Sequence, residues 1–232
     1  MPTPLRGICS MATRGLLDEL AAAYTQRTDV PVSFVAVGGV EAARRVADGE
    51  QFDVVALASD AIDKLVAAGR LDAAGKVDIV RSEVGIAVPA DAQPPGIATE
   101  DAVRHAVRAA ARIAYSTGPS GVALIALFER WGIADDIRGR LVQAPPGVPV
   151  GSLVARGEAA LGFQQMSELI GVEGIRLLGP LPPEIQIVTT FSAALGLGAA
   201  QPAEVRSLLD FMASDDSAEA KRRHGMAPAP QR

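Results

Sequence analysis

Apolar strand-like runs alternate with helix-length segments along most of the chain, and this alternation restricts the fold more than any single motif. LRGICS reads as a short buried strand, and TRGLLDELAAAYTQRT as a helix carrying Leu16, Leu17, Leu20, Ala23 and Tyr24 on one side. VPVSFVAVG is a second strand ended by Gly38 and Gly39, followed by the helix VEAARRVADGE, the strand FDVVALAS and the helix AIDKLVAAGR, closed by Gly69. Strands separated by helices predict right-handed βαβ units and a mostly parallel sheet.

The segment SEVGIAVPA (82–90) is a longer apolar strand, and the Pro/Gly-rich loop DAQPPG follows it. A second series then runs through helix EDAVRHAVRAAA, strand RIAYS, helix GVALIALFERWG, strand LVQAP, helix VGSLVARGEA and strands ALGFQQ and IRLLGPL. Another strand, IQIVTTFSAALGL, returns late. One helix, PAEVRSLLDFMASDDSAEAKRRHG, and a loose PAPQR tail close the chain. The expected fold class is α/β, with two Rossmann-like lobes joined by two crossing strands. One lobe is built from 1–83 and 193–232 and the other from 84–192, with a ligand cleft between them.

Composition narrows the function classes. The chain has 232 residues, 49% of them apolar and 4% aromatic, with a net charge of −5. Its basic residues are dispersed among acidic ones, so no stripe for nucleic acid is present. Runs such as VALIALF are far shorter than the roughly 18–20 residues of a membrane span, so no membrane insertion is expected. The single cysteine, Cys9, excludes an internal disulfide and, inside an apolar run, reads as a buried inert thiol. The opening MPTPLRG lacks the basic and apolar regions of a signal peptide. That implies a cytoplasmic protein, or a periplasmic one whose leader was removed. A monomer is expected.

The residues at the strand ends form a consistent set. Ser10, Met11, Ala12 and Thr13 follow the first strand, Gly38 and Gly39 the second, and Ser59 and Asp60 the third. In the second series come Ser116, Thr117, Gly118, Pro119, Ser120 and Gly121, then Pro145 to Val150, then Gln164 and Gln165. These residues are small, neutral and rich in donors. A helix N-terminus offers unpaired N–H groups to an anion without needing Lys or Arg. Ser, Thr and Gly are equally ordinary N-caps, and Pro119 suits a first helical turn. Any one turn reads as a cap; the set together reads as a neutral anion cradle.

Catalytic patterns are sparse. Of the two histidines, His105 lies within a helix and His224 near the end of the last one, where a helix dipole accounts for it. No metal-ligand cluster and no nucleotide or cofactor motif stands out, so no metal and no cofactor is expected. Glu41, Asp60 and Glu168 are the carboxylates nearest the strand ends. Glu41 and Asp60 sit at helix starts, where capping or dipole stabilisation suits them. Arg14 either reaches toward the cradle or is solvated.

The stretches ICSMAT, GGVEAARRVADGEQFDVVALASD, STGPSG and GEAALGFQQMSEL, with the terminal KRRHGM, together resemble the periplasmic molybdate-binding protein family over nearly the whole chain. The resemblance implies the type 2 periplasmic-binding fold, a small anionic ligand, and an ABC permease as partner if the chain is exported. It also implies ligand contacts from Ser10, Ala12, Thr13, Gly38, Gly39, Ser116, Thr117, Ser120, Gly121, Val150, Gln164 and Gln165. Molybdate binders typically carry serines in the first two turns and a tyrosine at the last position. Ala12, Gly39 and Gln165 stand here instead, which suits a larger ligand such as a di- or tricarboxylate. STGPSG and GFQQ are more similar to a branch of the fold that includes isomerases of unsaturated tricarboxylates such as trans-aconitate. That chemistry is an allylic proton shift and needs a base. Glu41, Glu168, Tyr115 and a serine hydroxyl are the candidates, and none is singled out by the sequence.

Overall fold

A computed structural model describes residues 3–230. In chain order its elements are β1 (Leu5–Ser10), a 3-10 turn (Met11–Thr13), α1 (Arg14–Thr28), β2 (Val32–Val37), α2 (Gly39–Ala47), β3 (Val54–Ala58), α3 (Ser59–Ala67) and β4 (Val77–Pro89). Next come α4 (Glu100–Ala109), β5 (Ile113–Tyr115), α5 (Pro119–Arg130), α6 (Ala134–Ile137), β6 (Leu141–Gln143), α7 (Val150–Ala155), β7 (Leu161–Gln165), α8 (Met166–Leu169) and β8 (Ile175–Pro180). The chain closes with β9 (Val188–Leu195), α9 (Pro202–Ala213), α10 (Ala218–Arg223) and β10 (Met226–Pro228).

The chain divides into two compact units, Met1–Ser82 with Thr189–Arg232, and Glu83–Val188. In the first unit β1 pairs in parallel with both β2 and β3, and β9 runs antiparallel to β3. Both faces of this sheet are covered, which explains why β3 reads VVALA with no polar residue. Val54 and Ala56 meet the leucines of α1 and Val205, Leu208 and Met212 of α9. Val55 and Leu57 point the other way, onto Ala42 and Val46 of α2 and Ile62 and Leu65 of α3. On α1 the buried alanine is Ala21, one turn earlier than Tyr24, whereas Ala23 is only partly buried. Cys9 is fully buried in this core, and desolvation pushes its thiol up to about 12. An inert thiol follows.

In the second unit β5 pairs in parallel with β6 and β7, while β4 runs antiparallel to both β7 and β8. Phe128 of α5 meets Phe163 of β7 edge to face at 6.1 Å and anchors that helix on one side of the sheet. α7 covers the other side through Val150, Leu153 and Val154 against Ala114.

Three local readings of the sequence change. β4 begins at Val77, five residues before the expected start, and its first half is paired by β10. The expected loose tail is therefore in part a strand: Pro228 lies opposite Val80, and the Ala229 N–H donates to the Ile79 carbonyl at 3.2 Å. Proline is tolerated there because it occupies a strand edge. Gln231 and Arg232 of the same tail lie outside the described residues. The single terminal helix is two, because Ser214 is extended and its hydroxyl donates to the Phe211 carbonyl at 2.8 Å, closing α9. Local Ser and Asp bonds of this kind compete with helix continuation.

α10 docks on α1 through polar contacts. Arg223 and His224 both reach Glu19, with His224 Nε2 at 2.9 Å, and the Arg223 guanidinium holds the Glu19 carboxyl below its ordinary range. On the same helix Lys221 is 1% exposed, and burial lowers its ammonium to about 8 despite the attraction of Asp215. A base depressed on folding makes the native state hold its proton less tightly, so stability rises as pH climbs from about 8 to 10.5. Lys221→Met should therefore stabilise the protein at pH 7, by about 1–3 kcal/mol. The gain should shrink toward pH 10.5, as read from urea unfolding at several pH values.

Candidate functional site

Parallel pairing puts the candidate residues of each unit on one sheet edge. In the first unit Ser10, the last residue of β1, is level with Val37 of β2, so the turns Ser10–Thr13 and Gly38–Gly39 are neighbours. In the second unit Tyr115 of β5 is level with Phe163 of β7 and Gln143 of β6. Ser116, Gln164 and Ala144 are thus the next residues on three adjacent strands.

The helices that start at these edges lack side-chain caps from the residues preceding them. Gly38 before α2, Ala58 before α3, Gly118 before α5 and Gln165 before α8 give none, and neither Ser10 nor Thr13 caps the start of α1. α4, which follows the DAQPPG loop, is capped in the ordinary way: Thr99 accepts from the Ala102 N–H at 3.2 Å. The hydroxyls at the strand ends are occupied with each other. The Thr13 hydroxyl donates to the Ser10 carbonyl at 3.2 Å and lies 3.3 Å from Ser10 Oγ. Ser116 Oγ lies 3.2 Å from Ser120 Oγ. Ser59 is committed elsewhere, accepting from Lys76 Nζ at 2.8 Å.

The glycines of these turns divide into two kinds. A Cβ on Gly38 or Gly118 would meet nothing within 4 Å, and one on Gly39 would make only an ordinary 3.6 Å contact with Ser10 Cβ. None of the three has a positive φ. Neither space nor backbone conformation requires glycine at these positions, and its effect is to leave the helix N–H groups uncovered. Gly121 is different: its Cβ would lie 1.9 Å from the Ser116 carbonyl oxygen. It lets α5 sit directly on the STGPSG turn.

Gln164 has a role that the sequence does not disclose. It is 3% exposed, and its Oε1 accepts from the Val150 N–H at 2.8 Å and the Gly151 N–H at 3.4 Å. The first turn of α7 is thereby satisfied from the neighbouring strand. The amide Nε2 donates in turn to Glu168 Oε1 at 2.8 Å. Glu168 is partly buried, and desolvation lifts its carboxyl to about 7 against the opposing bond from Gln164. Gln165 and Ala12 are buried beside these turns.

The remaining candidates go elsewhere. Glu41 is clasped by Arg44 through two bonds, of 2.8 and 3.0 Å, which hold its carboxyl below the ordinary range and disfavour it as a base. Asp60 faces Lys64 at 3.8 Å, and Arg14 pairs with Asp18 at 3.7 Å on an exposed helix face. His105 is exposed. Among the described residues no group of three or more His, Cys, Asp or Glu is placed to hold a metal, and no helix is long and apolar enough to cross a membrane.

Residues 5–227 match the family model described as bacterial extracellular solute-binding protein. An aconitate isomerase from Pseudomonas sp. is 37% identical over 98% of this chain and 89% of its own length. The periplasmic molybdate-binding protein of Azotobacter vinelandii superposes with a TM-score of 0.80 at 20% identity, covering 98% of this chain and all of that one. A tungstate-binding protein from Desulfovibrio alaskensis gives 0.71 at 18% identity over the full length of both chains. At these identities the two structures speak to fold, and the fold is that of the periplasmic solute-binding proteins.

Replacing Gly121 by Ala should push α5 off the Ser116 carbonyl and cost about 1–3 kcal/mol of stability. The urea midpoint of that variant, compared with Gly118→Ala, reads the difference. The Gly118 change should cost little, since nothing crowds that position.

Proposed function

We propose that this chain, which belongs to the bacterial extracellular solute-binding protein family, binds a small carboxylate anion at its strand-end turns. The observation carrying this reading is the run of helix starts without side-chain caps at the edges where the strands end. An uncapped first turn has orphan N–H donors and a partial positive charge, and both suit an anion in a neutral cradle. In the first turn of α5, Pro119 has no N–H and the Gly121 N–H donates to the Gly118 carbonyl at 3.0 Å. The Ser120 N–H is then the donor left over, with the Ser116 and Ser120 hydroxyls beside it.

The preference for a carboxylate over a metal oxyanion rests on what is missing. Gly38 and Gly39 leave open space where a serine would fit, and Gln165 stands where a tyrosine would be expected by resemblance. A di- or tricarboxylate fills more room than a tetrahedral oxyanion and accepts bonds from several N–H groups at once. In a transport role the partner would be a membrane permease with its ATPase, and the chain would work outside the cytoplasm, as the family's description has it.

A second reading, isomerisation of an unsaturated tricarboxylate, draws on the named activity of the Pseudomonas relative and on Glu168. Of the candidate bases, Glu41 is held ionised by Arg44, whereas the Glu168 carboxyl at about 7 is poised to exchange a proton near neutrality.

A thermal-shift screen with molybdate, tungstate, sulfate, citrate and both aconitates tests the first reading. Ligand at about 100 times its Kd adds roughly 2.7 kcal/mol, a shift of several degrees. We expect tricarboxylates to give it, and a response to molybdate alone would overturn the carboxylate assignment. Ser120→Pro removes the leftover N–H and should weaken binding at least tenfold with an unchanged circular dichroism spectrum. Proton NMR of trans-aconitate with the purified protein decides the second reading, since conversion above background is expected only of an isomerase.

A further inference from the structure

The first turn of α7 fixes which way the Gln164 amide points. Two N–H groups, from Val150 and Gly151, converge on its oxygen. The flipped amide would set its own NH2 against those donors, so the observed orientation is the satisfied one. The NH2 is therefore directed at Glu168 Oε1, at 2.8 Å. The Gln164 bond by itself favours the ionised carboxylate, and burial opposes it. When the carboxyl is protonated, the oxygen accepting from the amide is the carbonyl-like one and the proton is on Oε2. Gln164 is the next residue after Phe163, as Ser116 is after Tyr115, and those two are level on adjacent strands. Glu168 of α8 is tied to that strand end through the Gln164 bond.

We propose that Glu168 is a ligand-binding residue of the anion site, held by Gln164 so that its protonated Oε2 donates to the bound carboxylate. This inference rests on the anion-binding reading above and names a contact that the strand-end turns do not supply. Its consequence is that anion and proton bind together. An ionised Glu168 would repel the ligand and has no donor to offer, whereas the neutral acid adds one. A carboxylic acid kept neutral near pH 7 by its surroundings is an effective hydrogen-bond donor to an oxyanion.

The charges around Glu168 within its unit do not supply an alternative titrating partner. α7 and β7 carry no charged residue. Arg156, just past α7, pairs with Glu158 at 2.6 Å, and Arg176 of β8 donates to the Ala90 carbonyl at 2.9 Å. Glu173 lies in the turn between α8 and β8. Burial alone raises the carboxyl to about 7, and no charged neighbour contributes to the shift.

The test is calorimetric titration of trans-aconitate, whose carboxyls stay ionised through the range, into the intact protein between pH 6 and 8.5. Wild-type affinity should be level below neutrality and fall about tenfold per pH unit above it. Glu168→Gln mimics the neutral acid, since its amide accepts from Gln164 and still donates. It should bind at pH 8.5 about as tightly as the wild type binds at pH 6, with no pH slope. Glu168→Ala, with neither donor nor charge, should bind more weakly than the wild type at pH 6 but not at pH 8.5, and more weakly than Glu168→Gln at every pH. A wild-type slope preserved in Glu168→Gln overturns the proposal while leaving anion binding intact. No heat with any variant at any pH overturns the anion reading and the proposal with it.

A ligand-free readout separates the two further. A folded carboxyl raised from 4.5 to about 7 holds its proton more tightly than the unfolded chain does, so stability is lost as pH rises through that window. Glu168→Gln should abolish that loss in thermal melts from pH 4 to 8. A wild-type melting curve that shows no such loss, or a loss that persists in the variant, counts against a proton at Glu168.

Discussion

Parallel strand pairing is the constraint on which the rest of the molecule depends. When strands run the same way and each is followed by a helix, every helix begins at the same sheet edge. Ser10 level with Val37, and Tyr115 level with Phe163 and Gln143, are direct statements of that register. The polar turns are neighbours because the apolar strands beneath them are in step. The sheets are in step because both their faces are filled: β3 can be VVALA only with α1 and α9 on one side and α2 and α3 on the other.

The helix starts at these edges trade local stability for donors. A Ser or Thr cap adds about 1 kcal/mol to a helix, and the chain uses one at α4 where nothing else is asked of the turn. At α2, α3 and α5 no such cap is present, although Ser59, Ser116 and Ser120 are close at hand. At α7 the orphan N–H groups go to Gln164, which converts one helix start into a support for a carboxyl. Similar turns thus serve two purposes, and the hydrogen-bond partners distinguish them where residue type does not.

The alternation of strand and helix was legible in the sequence because most elements repeat one physical rule over five or more residues. The strand-end residues were legible too, as small polar breaks between apolar runs. What escaped was set by partners distant in sequence. MAP at 226–228 has no strand signature, and Pro228 argues against one. It becomes β10 because β4 offers an edge some 145 residues earlier. The bond from Gln164 to Glu168 links a strand to a four-residue helix, where helical spacing gives no guide. Glu41 and Glu168 look alike as letters. Only the burial of one and the Arg44 clasp of the other move their protonation in opposite directions.

Cys9, set aside as inert, has a consequence of its own. It is the chain's sole thiol, fully buried among the leucines of α1 and held at about 12. A thiol-specific reagent reaches it only when the first unit opens, because both burial and protonation protect it otherwise. The labelling rate is therefore a clock for the opening of that one unit, built into the natural sequence and needing no engineered probe.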